Sequence, residues 1–126
     1  MELILWRHAE AEDGVPDAAR ELTEKGLDQA KRMSAWLKLR LPENTLIIAS
    51  PTRRTQQTAM ALTSDFATKK EVAPGASVNS ILTAVNWPNE QGAVVVVGHQ
   101  PTLGEVASCL IPILPPGLSV KKGSVW

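Results

Sequence analysis

Neither sign of charge prevails in this chain, where 13 lysines and arginines face 13 aspartates and glutamates. Without a basic excess there is no long-range field to gather nucleic acid or to hold an anionic membrane surface, so neither partner class is expected. Long hydrophobic runs are missing as well. The longest, residues 93–97, is far short of the roughly 20 apolar residues a membrane-spanning helix needs. The opening Met-Glu-Leu-Ile-Leu-Trp-Arg lacks the basic region, extended apolar stretch and cleavage site of a secretory signal, so export is not expected. Cysteine is nearly absent: Cys109 alone cannot close an internal disulfide, which fits a reducing, cytoplasmic location.

What is present suits a single domain spanning residues 1–126, with 44% hydrophobic and 21% charged residues. A chain of this size buries roughly two thirds of its unfolded surface, enough for a core without staples or metals. Residues 3–6, 46–49 and 93–97 are short apolar runs without alternation, the pattern of strands covered on both faces of a parallel sheet. Helical patterns lie between them. After Thr23 as N-cap, Leu27, Ala30, Met33 and Leu37 recur at spacings of three and four, with Trp36 widening the stripe into the core. Ser50 followed by Pro51 reads as N-cap and first residue of a second helix that carries Thr58, Ala59 and Leu62 and fades near Ser64. Leu103, Val106, Ala107 and Leu110 give a third face, which Pro112 terminates, and Cys109 within it reads as a buried thiol. Residues 12–20, 68–77 and 86–92 read as loops, and residues 118–126, after a Pro-Pro-Gly turn, as a last strand at the sheet edge that could pair with a second copy. Strand and helix alternate, which predicts an α/β fold: a three-layer α/β/α sandwich with a mainly parallel central sheet.

Chemistry-bearing residues cluster at the predicted strand ends. His8, Ser50 and His99 each stand just beyond one of the three apolar runs, and binding crevices in open α/β sheets form outside the carboxyl ends of strands. Arg7-His8 sets a permanent cation beside an imidazole able to be neutral near neutral pH. Ser50-Pro51-Thr52-Arg53-Arg54 opens a helix whose free N–H groups favour an anion, with Arg54 one turn beyond Ser50 and Arg53 directed elsewhere. Two imidazoles and two guanidinium groups at the mouth of one sheet point to phosphate. The two histidines lack a recognised metal-ligand spacing, and no metal or other cofactor is expected. Lys69-Lys70 and Lys121-Lys122 read as solvated charges, and Trp6 and Trp87 as packing residues.

Four segments in order resemble the histidine phosphatase superfamily, and within it the small SixA-type phosphohistidine phosphatases. These are Leu5-Trp6-Arg7-His8-Ala9-Glu10, then Leu22-Thr23-Glu24-Lys25-Gly26-Leu27-Asp28-Gln29-Ala30, then Ser50-Pro51-Thr52-Arg53-Arg54-Thr55-Gln56-Gln57-Thr58-Ala59, then Val97-Gly98-His99-Gln100-Pro101. Ala9 stands where a glycine is common in the family, and Gln100 where asparagine is frequent. The resemblance implies a phosphoglycerate mutase-like fold without a large inserted cap. It makes His8 the nucleophile that becomes phosphohistidine, with Arg7, Arg54 and His99 completing the catalytic set and binding the phosphoryl oxygens. Ser50, from its position, joins them by orienting a pocket side chain. Larger relatives carry a carboxylate acid on an inserted segment; here Glu10, Glu12 and Asp13 are the candidates by proximity to His8.

The expected activity is metal-independent dephosphorylation of phosphohistidine on a signalling or phosphotransfer protein. Alternatives are a phosphatase for small phosphomonoesters or phosphotyrosine, and a phosphate-binding module without turnover. Relatives in the family usually continue beyond the position of Trp126, so a shortened C-terminus is expected, in a monomer or weak dimer.

Overall fold

In the computed structural model, which describes every residue except 112, 115 and 116, four parallel strands form one sheet in the order β1-β4-β2-β3. The strands are β1 (Glu2–Arg7), β2 (Leu46–Ala49), β3 (Ala67–Thr68) and β4 (Ala93–Gly98), and the helices α1 (Glu24–Lys38), α2 (Arg53–Leu62), α3 (Val78–Ala84) and α4 (Thr102–Leu110). Short 3₁₀ turns occupy Asp17–Ala19 and Lys70–Val72. Central β4 has every residue buried, as expected of a strand covered on both faces. Its side chains alternate between two cores. Val94 and Val96 pack with Ile81 of α3, with Val85 just after it, and with Leu103 and Val106 of α4. Val95 and Val97 pack with Leu37 of α1 and with Ala59 and Leu62 of α2. The predicted three-layer sandwich is therefore present, and no large inserted cap interrupts it among the described residues.

The strand register prepares the site. Arg7 is level with Gly98, and Trp6 and Ala49 are both level with Val97. His8, His99 and Ser50 are the next residues on three neighbouring strands, so they emerge side by side at one edge of the sheet. The strand order places β4 between β1 and β2, the change of winding direction at which open sheets form crevices.

Several local expectations change in the structure. Thr23 caps α1 as predicted, its hydroxyl accepting from Gly26 N, but the buried stripe runs Gly26, Ala30, Ser34, Leu37. Rotating the stripe this way leaves Leu27 and Trp36 half exposed rather than in the core, and the Arg40 guanidinium lies 4.0 Å over the Trp36 ring. The second helix starts at Arg53 with Thr52 at the N-cap, not at Pro51 with Ser50; the Ser50 hydroxyl accepts from both Thr52 N and the His99 ring. Cys109 is exposed, not buried; it falls on the face of α4 opposite Leu103, Val106 and Ala107. Lys69 is not simply solvated, since its Nζ donates to Ala84 O at the end of α3. Within or beside the predicted loops lie β3 and α3, neither of which the periodicity revealed. Pro112 and the prolines of the Pro-Pro-Gly turn lie outside the described residues, although α4 does end at Leu110.

Residues 124–126 run antiparallel along β1: Leu5 and Trp126 exchange both backbone hydrogen bonds, at 2.7 and 2.8 Å, and Arg7 N donates to Ser124 O. The expected last strand is reduced to an isolated bridge between Trp6 and Val125. It covers part of the β1 edge.

Gly26 is needed for a close approach. A Cβ there would meet Glu10 O at 1.9 Å, and this carbonyl already accepts from Thr23 N at 3.0 Å. Gly26→Ala must push α1 away from the segment that follows the first histidine. Urea unfolding is expected to show a loss of roughly 1–3 kcal/mol, the usual cost of overpacking.

Candidate active site

His8 follows β1 and is 6% exposed. Its Nδ1 lies 2.7 Å from Ala9 O. A carbonyl oxygen has no proton to give, so Nδ1 carries the hydrogen, and the neutral ring keeps its lone pair on Nε2. Burial, with added repulsion from Arg54, Arg7 and Arg20, pushes His8 down from 6.5 to about 4 despite the opposing Ala9 hydrogen bond. The backbone here is held firmly: His8 N donates to Gly98 O, and Ala9 N donates to the buried Thr58 hydroxyl. Thr58 in turn donates to Arg54 O, tying the histidine turn to α2.

The His99 ring is tilted against that of His8, with centroids 5.3 Å apart. Its Nε2 lies 2.8 Å from Ser50 Oγ and its Nδ1 lies 3.5 Å from Arg54 Nη2. Guanidinium nitrogens only donate, so Nδ1 is the acceptor and Nε2–H donates to Ser50. His99 is lowered to about 3, first by burial and then by His8 and Arg54; it is neutral here. Ser50, fully buried, accepts from His99 through its hydroxyl.

Arg54, 5% exposed, leaves α2 at its first turn. Arg7 Nη1 donates to Val120 O at 2.9 Å, and burial followed by repulsion from Arg54 lowers its pKa. Among the described residues, Arg7 Nε and Arg54 Nε are buried nitrogens without a hydrogen-bond partner. Two cationic donors without partners beside two neutral imidazoles are a setting suited to an anion. Arg53 pairs with Glu21 at the surface, away from this group, as predicted.

The carboxylates are placed differently. Glu10 Oε2 accepts from the Thr23 hydroxyl at 2.8 Å, and Glu10 N donates to Gln29, so this side chain is tied to the start of α1. Glu12 and Asp13 are partly or fully exposed and line a cavity of about 240 Å³ with Gly14, Val15, Arg20 and Glu21. None of the three makes a hydrogen bond with either histidine ring. Sequence reasoning missed Asp17, which binds Arg54 Nη1 through its carbonyl and Nη2 through its carboxylate, at 3.0 and 3.1 Å. It lay in a segment read as loop; an acidic residue after Pro16 was the sole signal. Thr58, noted only as part of a helical face, was likewise missed as a brace. No group of three metal-binding side chains occurs among the described residues, nor any helix long and apolar enough to cross a membrane.

Both histidines are held below their ordinary value, so the unfolded chain binds more protons than the folded one as pH falls beneath 6.5. The stability due to their neutral burial is complete above about 6.5 and is lost progressively toward about 4 and about 3. Thermal unfolding midpoints are expected to fall over that interval. Replacing both histidines by glutamine should flatten the dependence.

The geometry agrees with the comparisons. The profile of the histidine phosphatase superfamily (branch 1) matches residues 3–77. Phosphohistidine phosphatase SixA of Escherichia coli (strain K12) is 28% identical over 121 residues, which cover 89% of this chain and 75% of the relative. The structure of protein histidine phosphatase SixA complexed with tungstate superposes with a TM-score of 0.82 at 25% identity, covering 100% of this chain and 93% of that one. A proposed phosphohistidine phosphatase SixA from Nakamurella multipartitia is 31% identical with a TM-score of 0.75, covering 94% and 73% of the two chains. The chain belongs to the histidine phosphatase superfamily and is a phosphatase, a hydrolase of the phosphoglycerate mutase-like fold.

Proposed function

We propose that the protein dephosphorylates phosphohistidine on a phosphotransfer protein, through a covalent phosphohistidine at His8. The observation that carries this reading is the Nδ1–H of His8 on Ala9 O, which leaves Nε2 free to attack. In the first step Nε2 bonds to phosphorus as the bond from phosphorus to the substrate imidazole breaks, and that imidazole takes a proton from water. In the second, water attacks the phosphorylated His8, inorganic phosphate leaves and the ring is regenerated. Arg7 and Arg54 hold the phosphoryl oxygens, their unpartnered Nε–H groups being donors set in place before charge develops. His99, oriented by Ser50, accepts from Arg54 Nη2 and so helps hold that guanidinium. Tungstate, bound by the SixA relative, is an oxyanion of the same shape as phosphate.

The substrate class follows from two features. No large cap covers the strand ends among the described residues, which suits a phosphoryl group carried on a protein surface. The three candidate acids stand apart from the histidine rings, and a departing imidazole needs a strong acid less than an alkoxide does. With a phosphorylated histidine phosphotransfer domain as substrate, phosphate release should proceed in the presence of chelator. Glu12→Gln and Asp13→Asn should cost far less than the roughly 10²-fold or more a general acid supplies. A large loss confined to p-nitrophenyl phosphate would instead favour a phosphomonoester or phosphotyrosine substrate.

A further inference from the structure

Arg54 is almost wholly buried, and a guanidinium cannot shed its charge there. Its orientation is therefore decided by its partners. Asp17 supplies two of them from one residue: the main-chain carbonyl takes Nη1 at 3.0 Å and the carboxylate takes Nη2 at 3.1 Å. Nη2 also faces His99 Nδ1 at 3.5 Å. Anchors on both terminal nitrogens fix the plane of the group, and so the direction of the unpartnered Nε–H.

Asp17 is itself far from buried, its side chain being 60% exposed. Arg20 holds it in place. Arg20 Nη1 pairs with the other carboxylate oxygen at 3.0 Å, Arg20 N donates to Asp17 O at 3.2 Å, and Arg20 Nε reaches back to Glu12 O at 2.6 Å. Ionisation is favoured too: the Arg20 hydrogen bond, which outweighs the opposing desolvation, together with the charge and hydrogen bond of Arg54, holds Asp17 below its usual range. A continuous chain thus runs from the Asp17–Ala19 turn through Arg54 and His99 to Ser50.

We infer that Asp17 is a positioning residue for Arg54, fixing the guanidinium plane on which phosphoryl binding depends, with Arg20 fixing Asp17. This rests on the phosphoryl-site reading above. The same contact could instead make Asp17 an internal anion that phosphate must displace. The double anchor argues against that, because a carbonyl on Nη1 is a scaffold contact and because the buried Nε has no partner among the described residues. The two roles differ in sign: a scaffold lost weakens phosphate binding, whereas a competitor lost tightens it.

The test uses Asp17→Ala, Asp17→Asn, Arg54→Ala and the Asp17→Ala/Arg54→Ala pair. Each is checked by thermal unfolding, then measured for inorganic phosphate binding by calorimetry and for p-nitrophenyl phosphate hydrolysis. The exposed Asp17 side chain leaves no cavity on truncation, so the Asp17 variants should fold; removing the buried Arg54 side chain leaves one, and thermal unfolding checks that background. Asp17→Ala should weaken phosphate binding and kcat/KM by on the order of 10- to 100-fold, as misplacing a reacting-site group by about 1 Å does. Asp17→Asn, which keeps an oxygen for Nη2, should recover most of it. On the Arg54→Ala background, removing Asp17 should cost nothing further, since the two act as a unit. Tighter phosphate binding, unchanged behaviour, or a full additional loss without Arg54 would each overturn the proposal. Wild-type protein that binds phosphate but hydrolyses nothing would defeat the phosphatase reading alone, leaving the calorimetric arm to decide the role of Asp17.

Discussion

His8→Ala is expected to abolish phosphate release, lowering kcat by on the order of 10⁴-fold or more, the scale of losing a nucleophile from a unit of interdependent groups. The covalent route ends because no other described side chain presents a neutral imidazole nitrogen in its place: His99 directs Nε2 at Ser50 and Nδ1 at Arg54. Phosphate binding should persist, since Arg7 and Arg54 keep their anchors on Val120 and Asp17. Acid-quenched reactions with labelled substrate should trap a phosphoenzyme in wild type and none in the variant. Undiminished release by His8→Ala would remove His8 from the mechanism, whatever else the protein does.

Arg54→Ala should reduce kcat/KM by on the order of 10²- to 10³-fold, the usual cost of deleting one preorganised donor to a charged transition state. Here the loss compounds, because the Arg54 side chain also bonds His99 and Asp17. Arg54→Lys should rescue little. An ammonium is a single point charge on a flexible stem and cannot hold Asp17 with two nitrogens while offering a third to phosphate. Steady-state kinetics with p-nitrophenyl phosphate will decide it; a lysine variant near wild-type efficiency would mean that charge alone, without planar geometry, suffices at this position.

The parts of this molecule legible in the sequence are those governed by short-range rules. Unalternating valines announce a strand buried on both faces, and residues 93–97 lie within β4. Thr23 announces a cap and becomes one. Arg7, His8, Arg54 and His99 were visible because each lies at a strand end or in the helix turn that follows it. Other features depend on partners distant in sequence. Ser50 looked like a cap because its neighbour is proline, but α2 begins later, and the buried hydroxyl is shared between Thr52 N and the His99 imidazole. Asp17 carries no periodic signal, and its importance lies entirely in meeting Arg54 across the fold. Trp36 and Cys109 show the same limit in packing: a shift of one helical position decides whether a side chain faces the sheet or water.

Residues 118–126 carry a consequence for how the protein comes into being. Val120 O orients Arg7, Gly123 N donates to both Arg7 O and His8 O, and Gly123 O accepts from the buried Trp6 indole. Leu118 O is pressed against Gly104, where a Cβ would come within 1.8 Å, and is held by Gln100 Nε2. The Arg-His pair is made more than a hundred positions before the segment that completes its setting. Closing so long a loop is entropically slow and comes after local helices have formed. A nascent chain that has displayed the whole arginine-histidine signature therefore still lacks a finished pocket until residue 123 has emerged and docked. Onset of phosphate binding during synthesis or refolding is thus a clock for this long-range contact, not for the local helices.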